Sequence, residues 1–169
     1  VGCVVLDKHG NIAAGTSTGG LTNKKFGRVG DSPVIGAGTY ADNETCGISG
    51  TGIGEQFIRH SVAAQISQLM RHCGWTLKQS AEYVLGDRLN KGDGGIIGID
   101  RQGNIEWVYT SPGLFRAAAD SRGRYDILIR DEKRKPCPGI ATKKASGEHD
   151  RRDDFQSPCR QAEAFLKKC

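Results

Sequence analysis

Two rhythms of apolar residues organise the chain. The run Val4-Val5-Leu6 is followed by Asp7-Lys8-His9-Gly10-Asn11 and then Ile12-Ala13. The run Ile96-Ile97-Gly98-Ile99 is followed by Asp100-Arg101-Gln102-Gly103-Asn104 and then Ile105. Each is a β-run, a D-x-x-G-N turn and a second β-run. Gly-Asn in such a turn supplies the positive φ that a tight hairpin needs. The pattern predicts two hairpins, one at each end of the chain's body; two are too few for a repeat architecture. Between them the spacing becomes helical. Ile58, Val62, Ile66, Leu69 and Met70 make one apolar face and predict a helix over about 55–72. Thr76 and Gln79 fit N-cap and N3 of a capping box, opening a second helix with Leu77, Ala81, Val84, Leu85 and Leu89 on its apolar side. Further strands are expected at about 95–100, 104–110 and 125–129. Strands, two helices, then strands imply an α+β fold with helices packed on an antiparallel sheet.

Composition adds a boundary. Pro136-Cys137-Pro138-Gly139 marks where ordered structure is expected to stop, giving a body at 1–132 and an extension at 133–169. The extension holds ten Lys/Arg and five Asp/Glu, so the net +5 of the chain lies there and the body is neutral. Mixed signs and few aromatics suit a solvated, disordered tail better than a nucleic-acid contact. No apolar stretch approaches the roughly 20 residues that span a bilayer, and Val1-Gly2-Cys3-Val4-Val5-Leu6 reads as a strand from residue 1, without the basic region of a signal peptide. None of the six cysteines forms a C-x-x-C pair. Cys3, Cys46 and Cys73 lie in apolar runs and are expected to be small core residues. Free thiols and a cytoplasmic location follow as expectations. His9 is expected on a turn, and His60 and His72 on helix surface, too far apart for a metal pair. Trp75 and Trp107 are expected to anchor a core or an interface. No metal and no cofactor are expected.

Chemistry concentrates between residues 14 and 55, where glycine is dense. Thr16-Ser17-Thr18-Gly19-Gly20, Gly27-Arg28-Val29-Gly30-Asp31-Ser32-Pro33 and Gly50-Thr51-Gly52-Ile53-Gly54-Glu55 punctuate the region. Glycine lets backbone N–H groups approach a ligand closely, and the last segment runs into the first predicted helix, where free N–H groups favour negative charge. That arrangement suits an oxyanion hole, and equally a phosphate, although neither G-x-G-x-x-G nor a P-loop occurs. Arg28 and Asp31 carry opposite charges in one Gly/Pro-punctuated loop. They either grip the carboxylate and ammonium of an amino acid or pair with each other.

The segments Asn11 to Lys24 and Gly27 to Ala41 resemble the plant-type asparaginase/isoaspartyl peptidase family, to which glycosylasparaginase is closely related. The likeness runs from Val1 to about Arg130, and the G-R-V-G-D-S-P and T-S-T-G-G motifs carry it. In that family a precursor cuts itself before a threonine, which becomes an N-terminal nucleophile with its own α-amine as base. The resemblance implies an αββα sandwich of which this chain is the β-subunit half. The nucleophilic threonine would directly precede Val1. Thr18 would support it, Thr51 and Gly52 would form the oxyanion hole, Arg28 would hold the substrate carboxylate and Asp31 its amine. Residues 28–31 and 51–54, including Val29, Gly30, Ile53 and Gly54, would line the pocket. The implied partners are L-asparagine or β-aspartyl dipeptides, an α-subunit, and a second αβ pair, with neither nucleic acid nor membrane. Glycosyl-asparagine hydrolysis is the nearest alternative, and a non-catalytic binding remnant is the alternative from another class. Gly50, Ile53 and Pro112 depart from the usual family pattern, and residues 133–169 match none of it.

Overall fold

In the computed structural model residues 1–129 are described; the extension expected at 133–169 lies outside them. Eleven elements follow in order. They are β1 (Gly2–Leu6), β2 (Ile12–Thr16), β3 (Thr39–Ala41), β4 (Cys46–Gly52), α1 (Gly54–His60), α2 (Val62–Cys73), α3 (Leu77–Arg88), β5 (Gly94–Asp100), β6 (Ile105–Tyr109), β7 (Arg116–Ala119) and β8 (Tyr125–Leu128). The strands form a four-stranded antiparallel sheet, β3-β4-β5-β6, and two hairpins, β1-β2 and β7-β8.

Both predicted turns close as expected, and a third repeats their chemistry. Asp7 Oδ1 accepts from the backbone N–H of His9 and Asn11, and Asp100 Oδ1 from Gln102 and Asn104. Asp120 Oδ1 does the same for Arg122 and Arg124 in the unforeseen β7-β8 hairpin. Each turn carries a glycine at positive φ, namely Gly10, Gly103 and Gly123.

Residues 55–72 are helical but not continuous. Ser61 adopts a left-handed conformation, φ 46° and ψ 48°, and divides α1 from α2. The break releases the first-turn N–H groups of α2, which donate to loop carbonyls: Ala63 N to Ala37 O at 3.2 Å and Ala64 N to Gly36 O at 2.8 Å. It also rotates the apolar face. Phe57 is fully buried, whereas Ile58 is 37% exposed. The α3 capping box is present with both reciprocal bonds.

Strand β4 is buried on both faces. Cys46, Ile48 and Gly50 face the helices, packing with Phe57, Val62, Ile66, Leu77 and Val84 in the main core. Gly47 and Ser49 face the β1-β2 hairpin, which lies across the sheet against Val4, Ile12 and Gly2. The layers therefore run helices, sheet, hairpin. Only Cys46 fulfils the core expectation for the body cysteines; its thiol is pushed up to about 12 by burial, while Cys3 and Cys73 are exposed. Trp75 is partly exposed and meets the ring of Tyr83 edge-on at 5.4 Å. The Trp107 ring carries the guanidinium groups of both Arg116 and Arg124, at 5.2 and 4.9 Å from its centroid. Among the described residues no helix is long and apolar enough to cross a membrane.

Candidate active site

Long irregular loops in small domains usually serve binding. The one from Ser17 to Gly38, between β2 and β3, curls against the C-terminal end of β4 and the start of α1. Between them is a cavity of about 130 Å³, whose lining includes Val1, Thr18, Arg28, Asp31, Thr51 and Gly52. Arg28, Asp31, Thr51, Gly52, Gly54 and Thr18 all lie along this cavity. Val29, Gly30 and Ile53 do not line it: Val29 points to solvent at 62% exposure, and Ile53 is the N-cap of α1 with its N–H given to Asp93 O at 2.7 Å.

Glycine creates the room. A Cβ at Gly20 would lie 2.6 Å from Arg28 Nη2, and one at Gly30 would overlap Nη1, so the guanidinium is seated between two bare backbones. Arg28 contributes a through-space attraction at Asp31, but among the described residues no hydrogen bond or ion pair joins them, so the loop salt bridge left open by the sequence is not formed. Asp31 is 6% exposed, and its Oδ2 has no hydrogen-bond partner. Burial raises its pKa above the ordinary 3.8. A buried, unsatisfied carboxylate oxygen at a cavity wall is prepared for a cationic donor.

On the opposite wall, β4 ends at Thr51-Gly52. Gly52 and Gly94 are register partners, both at extreme positive φ (143° and 145°), and their backbones approach so closely that a Cβ on either would collide with the other strand. Gly94 gives its backbone groups to β6, accepting from Thr110 N at 2.7 Å. Gly52 is therefore a non-bonded partner across β5, and its N–H points away from that strand. Thr51, exposed, places its hydroxyl on the same wall.

Sequence reasoning missed several lining residues. Lys24 and Glu55 form an ion pair at 2.6 Å, which lowers the Glu55 pKa. They lie 31 residues apart, and no local pattern links them. Thr16 was legible, because in an extended run it shares a face with Thr18. Among the described residues no cluster of His, Cys, Asp or Glu is arranged to hold a metal.

The Asparaginase family matches residues 1–129. The chain is 47% identical over 129 residues to an Arabidopsis thaliana protein named probable isoaspartyl peptidase/L-asparaginase 2, covering 76% of this chain and 39% of that protein. It is 49% identical over 119 residues to the isoaspartyl peptidase of Salmonella typhimurium, 69% of this chain and 38% of that one. Against the human isoaspartyl peptidase/L-asparaginase it is 43% identical over 130 residues, 75% of this chain and 42% of the relative. The chain thus spans about two-fifths of the length of these curated relatives. With the family's matched region covering all the described residues, the chain belongs to the Asparaginase family.

Proposed function

We propose that this chain is the β-subunit half of an N-terminal-nucleophile amidohydrolase that cleaves L-asparagine and β-aspartyl peptides. The observation that carries the reading is the strand register at the cavity. Val1 N donates to Ser17 O at 2.7 Å and Ser17 N to Val1 O at 2.8 Å, while Gly2 pairs with Thr16. Continued by one step, a residue preceding Val1 falls directly opposite Thr18. Val1 and Ser17 are the hydrogen-bonded pair, so that next pair is the close, non-bonded kind, with side chains on one face. A threonine there would touch the Thr18 hydroxyl and open onto the cavity.

The chemistry follows from the walls. Arg28 forks onto the substrate α-carboxylate and Asp31 accepts from its ammonium, leaving the side-chain carbonyl toward Thr51 and Gly52. The threonine oxygen adds to that carbonyl carbon while its proton passes to the threonine's own α-amine. The Thr51 hydroxyl and Gly52 N–H hold the oxyanion. The C–N bond breaks as the amine returns the proton to the leaving nitrogen, releasing ammonia or an amino acid. Water then cleaves the β-aspartyl ester and frees aspartate. The layer order of helices, sheet and hairpin supports one side of an αββα sandwich, completed by an α-subunit and then by pairing of two αβ units. Among the described residues the three thiols are free and two of them are exposed, which suits a cytoplasmic setting.

The test is turnover by the full-length gene product. Ammonia from asparagine and free leucine from β-aspartyl-leucine are expected, both lost in Arg28→Ala. Absence of both from a folded, matured enzyme overturns the proposal; faster release from N-glycosyl asparagine redirects it to that substrate.

A further inference from the structure

The hairpin and the sheet also meet through a pair of hydroxyls, of which Thr16 lines the cavity and Ser49 does not. Thr16 Oγ1 donates to Gly38 O at 3.1 Å and lies 2.7 Å from Ser49 Oγ. A hydroxyl has one proton to give, and that of Thr16 is spent on Gly38 O, so Ser49 donates to Thr16. Ser49 is 3% exposed, and Gly2 passes directly over it: a Cβ at Gly2 would collide with Ser49 Oγ and lie 2.6 Å from its Cβ. Gly38 O also accepts from Gly50 N at 2.8 Å, and Gly38 itself packs on the Asp31 carboxylate. At its other end the hairpin is fastened by Asn43, which accepts from Ile12 N and donates to Asn11 Oδ1.

We infer that the Thr16–Ser49 hydroxyl pair is a positioning device that sets the separation between the nucleophile strand and the oxyanion-hole strand. The argument is periodicity. Thr16 and Gly2 share a face with Thr18 and with a residue immediately preceding Val1; Ser49 shares a face with Thr51. Each reacting group therefore lies two residues, roughly 6.6 Å, from the Thr16–Ser49 bond. Sheet-on-sheet packing by apolar contact alone leaves sliding and tilt soft, because dispersion is non-directional. A directional bond at the cavity end removes that freedom where attack geometry depends on it. Through Gly38 O the same bond reaches the wall behind Asp31, so nucleophile, oxyanion hole and ammonium site share one anchor. The inference rests on the function proposed above, and neither hydroxyl is placed in contact with substrate.

The test uses the full-length matured enzyme, with kcat and KM for asparagine and the thermal unfolding midpoint. Ser49→Ala removes only the interlayer bond and leaves Thr16 on Gly38; Thr16→Val removes both bonds. Both are expected to lower kcat on the order of 10- to 100-fold with KM within about threefold, the scale of an ångström-sized misplacement. Thr16→Ser, which keeps the hydroxyl, is expected to retain kcat within about threefold by the same reasoning. Wild-type kcat in Ser49→Ala, or equal damage in Thr16→Ser and Thr16→Val, overturns the inference. An inactive wild-type enzyme overturns the functional reading and this inference with it, whereas active wild type with indifferent variants overturns this inference alone.

Discussion

Gly38→Ala isolates the packing that holds Asp31 at the cavity wall. Gly38 does not have a positive φ, so alanine meets no backbone penalty there. Reduced freedom of the unfolded chain would by itself favour alanine by about 0.4–1 kcal/mol. Against this stands a collision. The new Cβ would overlap Asp31 Oδ2 and lie 2.8 Å from both its backbone carbonyl carbon and Cγ, so reaching an ordinary 3.4 Å contact needs about 0.6 Å of movement at the two carbons and about 1.1 Å at Oδ2. Overpacking of this kind costs about 1–3 kcal/mol, which outweighs the entropic gain. The larger effect is expected on substrate. Asp31 must turn away from the wall, and a hydrogen bond to a charged group is worth about 1.5–3 kcal/mol, or roughly 10- to 150-fold in kcat/KM at 1.4 kcal/mol per decade. Initial rates of ammonia release from asparagine read that ratio, and a thermal melt reads stability. Gly15→Ala is the control, since nothing lies within 4 Å of a Cβ there. If Gly38→Ala keeps kcat/KM within about twofold and melts higher, as chain entropy alone would give, the steric coupling of Gly38 to Asp31 is refuted.

Asp31→Asn is expected to stabilise the substrate-free protein at pH 7. The folded carboxyl has a raised pKa, so its protonated form is favoured; that favourable contribution is complete below about 3.8 and is lost as pH rises through the folded value, and the variant's advantage should vanish in melts near pH 3. Phe57→Ala, at a fully buried ring in the main core, should cost about 3–5 kcal/mol in denaturant unfolding without a specific change in KM. Thr76→Ala should remove the α3 capping box and cost about 1 kcal/mol by the same assay, and an unchanged midpoint would count against the cap.

The parts of the fold that were legible are those held by local chemistry. The hairpin turns at Asp7 and Asp100 and the cap at Thr76 each bond within four residues, so sequence alone contains both partners. The third turn, Asp120-Ser121-Arg122-Gly123-Arg124, has the same Asp and Gly spacing and was equally available; Arg116-Ala117-Ala118-Ala119 before it has helical propensity, which its pairing with β8 overrides. The division at Ser61 was not available, because its reason is the carbonyls of Gly36 and Ala37, more than 20 residues away. Nor was β4. A strand buried on both faces shows no alternation, and its end at Gly50 to Gly52 reads instead as part of a glycine-rich ligand loop running to Gly54.

That misreading explains why the site was easier to see than the strand beneath it. In β4 and its surroundings glycine answers to packing as much as to ligand. Gly47 admits Ile12, Gly50 admits the Phe57 ring, Gly52 admits the backbone of β5, and Gly2 admits Ser49. Each close approach moves one layer onto the next, and together they bring Thr51 and Gly52 to the cavity formed by the Arg28 loop. Arg28 and Asp31 were legible as a pair because they are neighbours in sequence; that they do not bind each other depends on Gly20, Gly30, Gly38 and Gly54, which seat the guanidinium and the carboxylate separately. A side chain at any of these four glycines would displace one of the two charged groups without altering a single residue that faces substrate as donor or acceptor. The chemistry proposed for the site therefore rests on Arg28, Asp31, Thr18 and Thr51, and its geometry on the glycines between them.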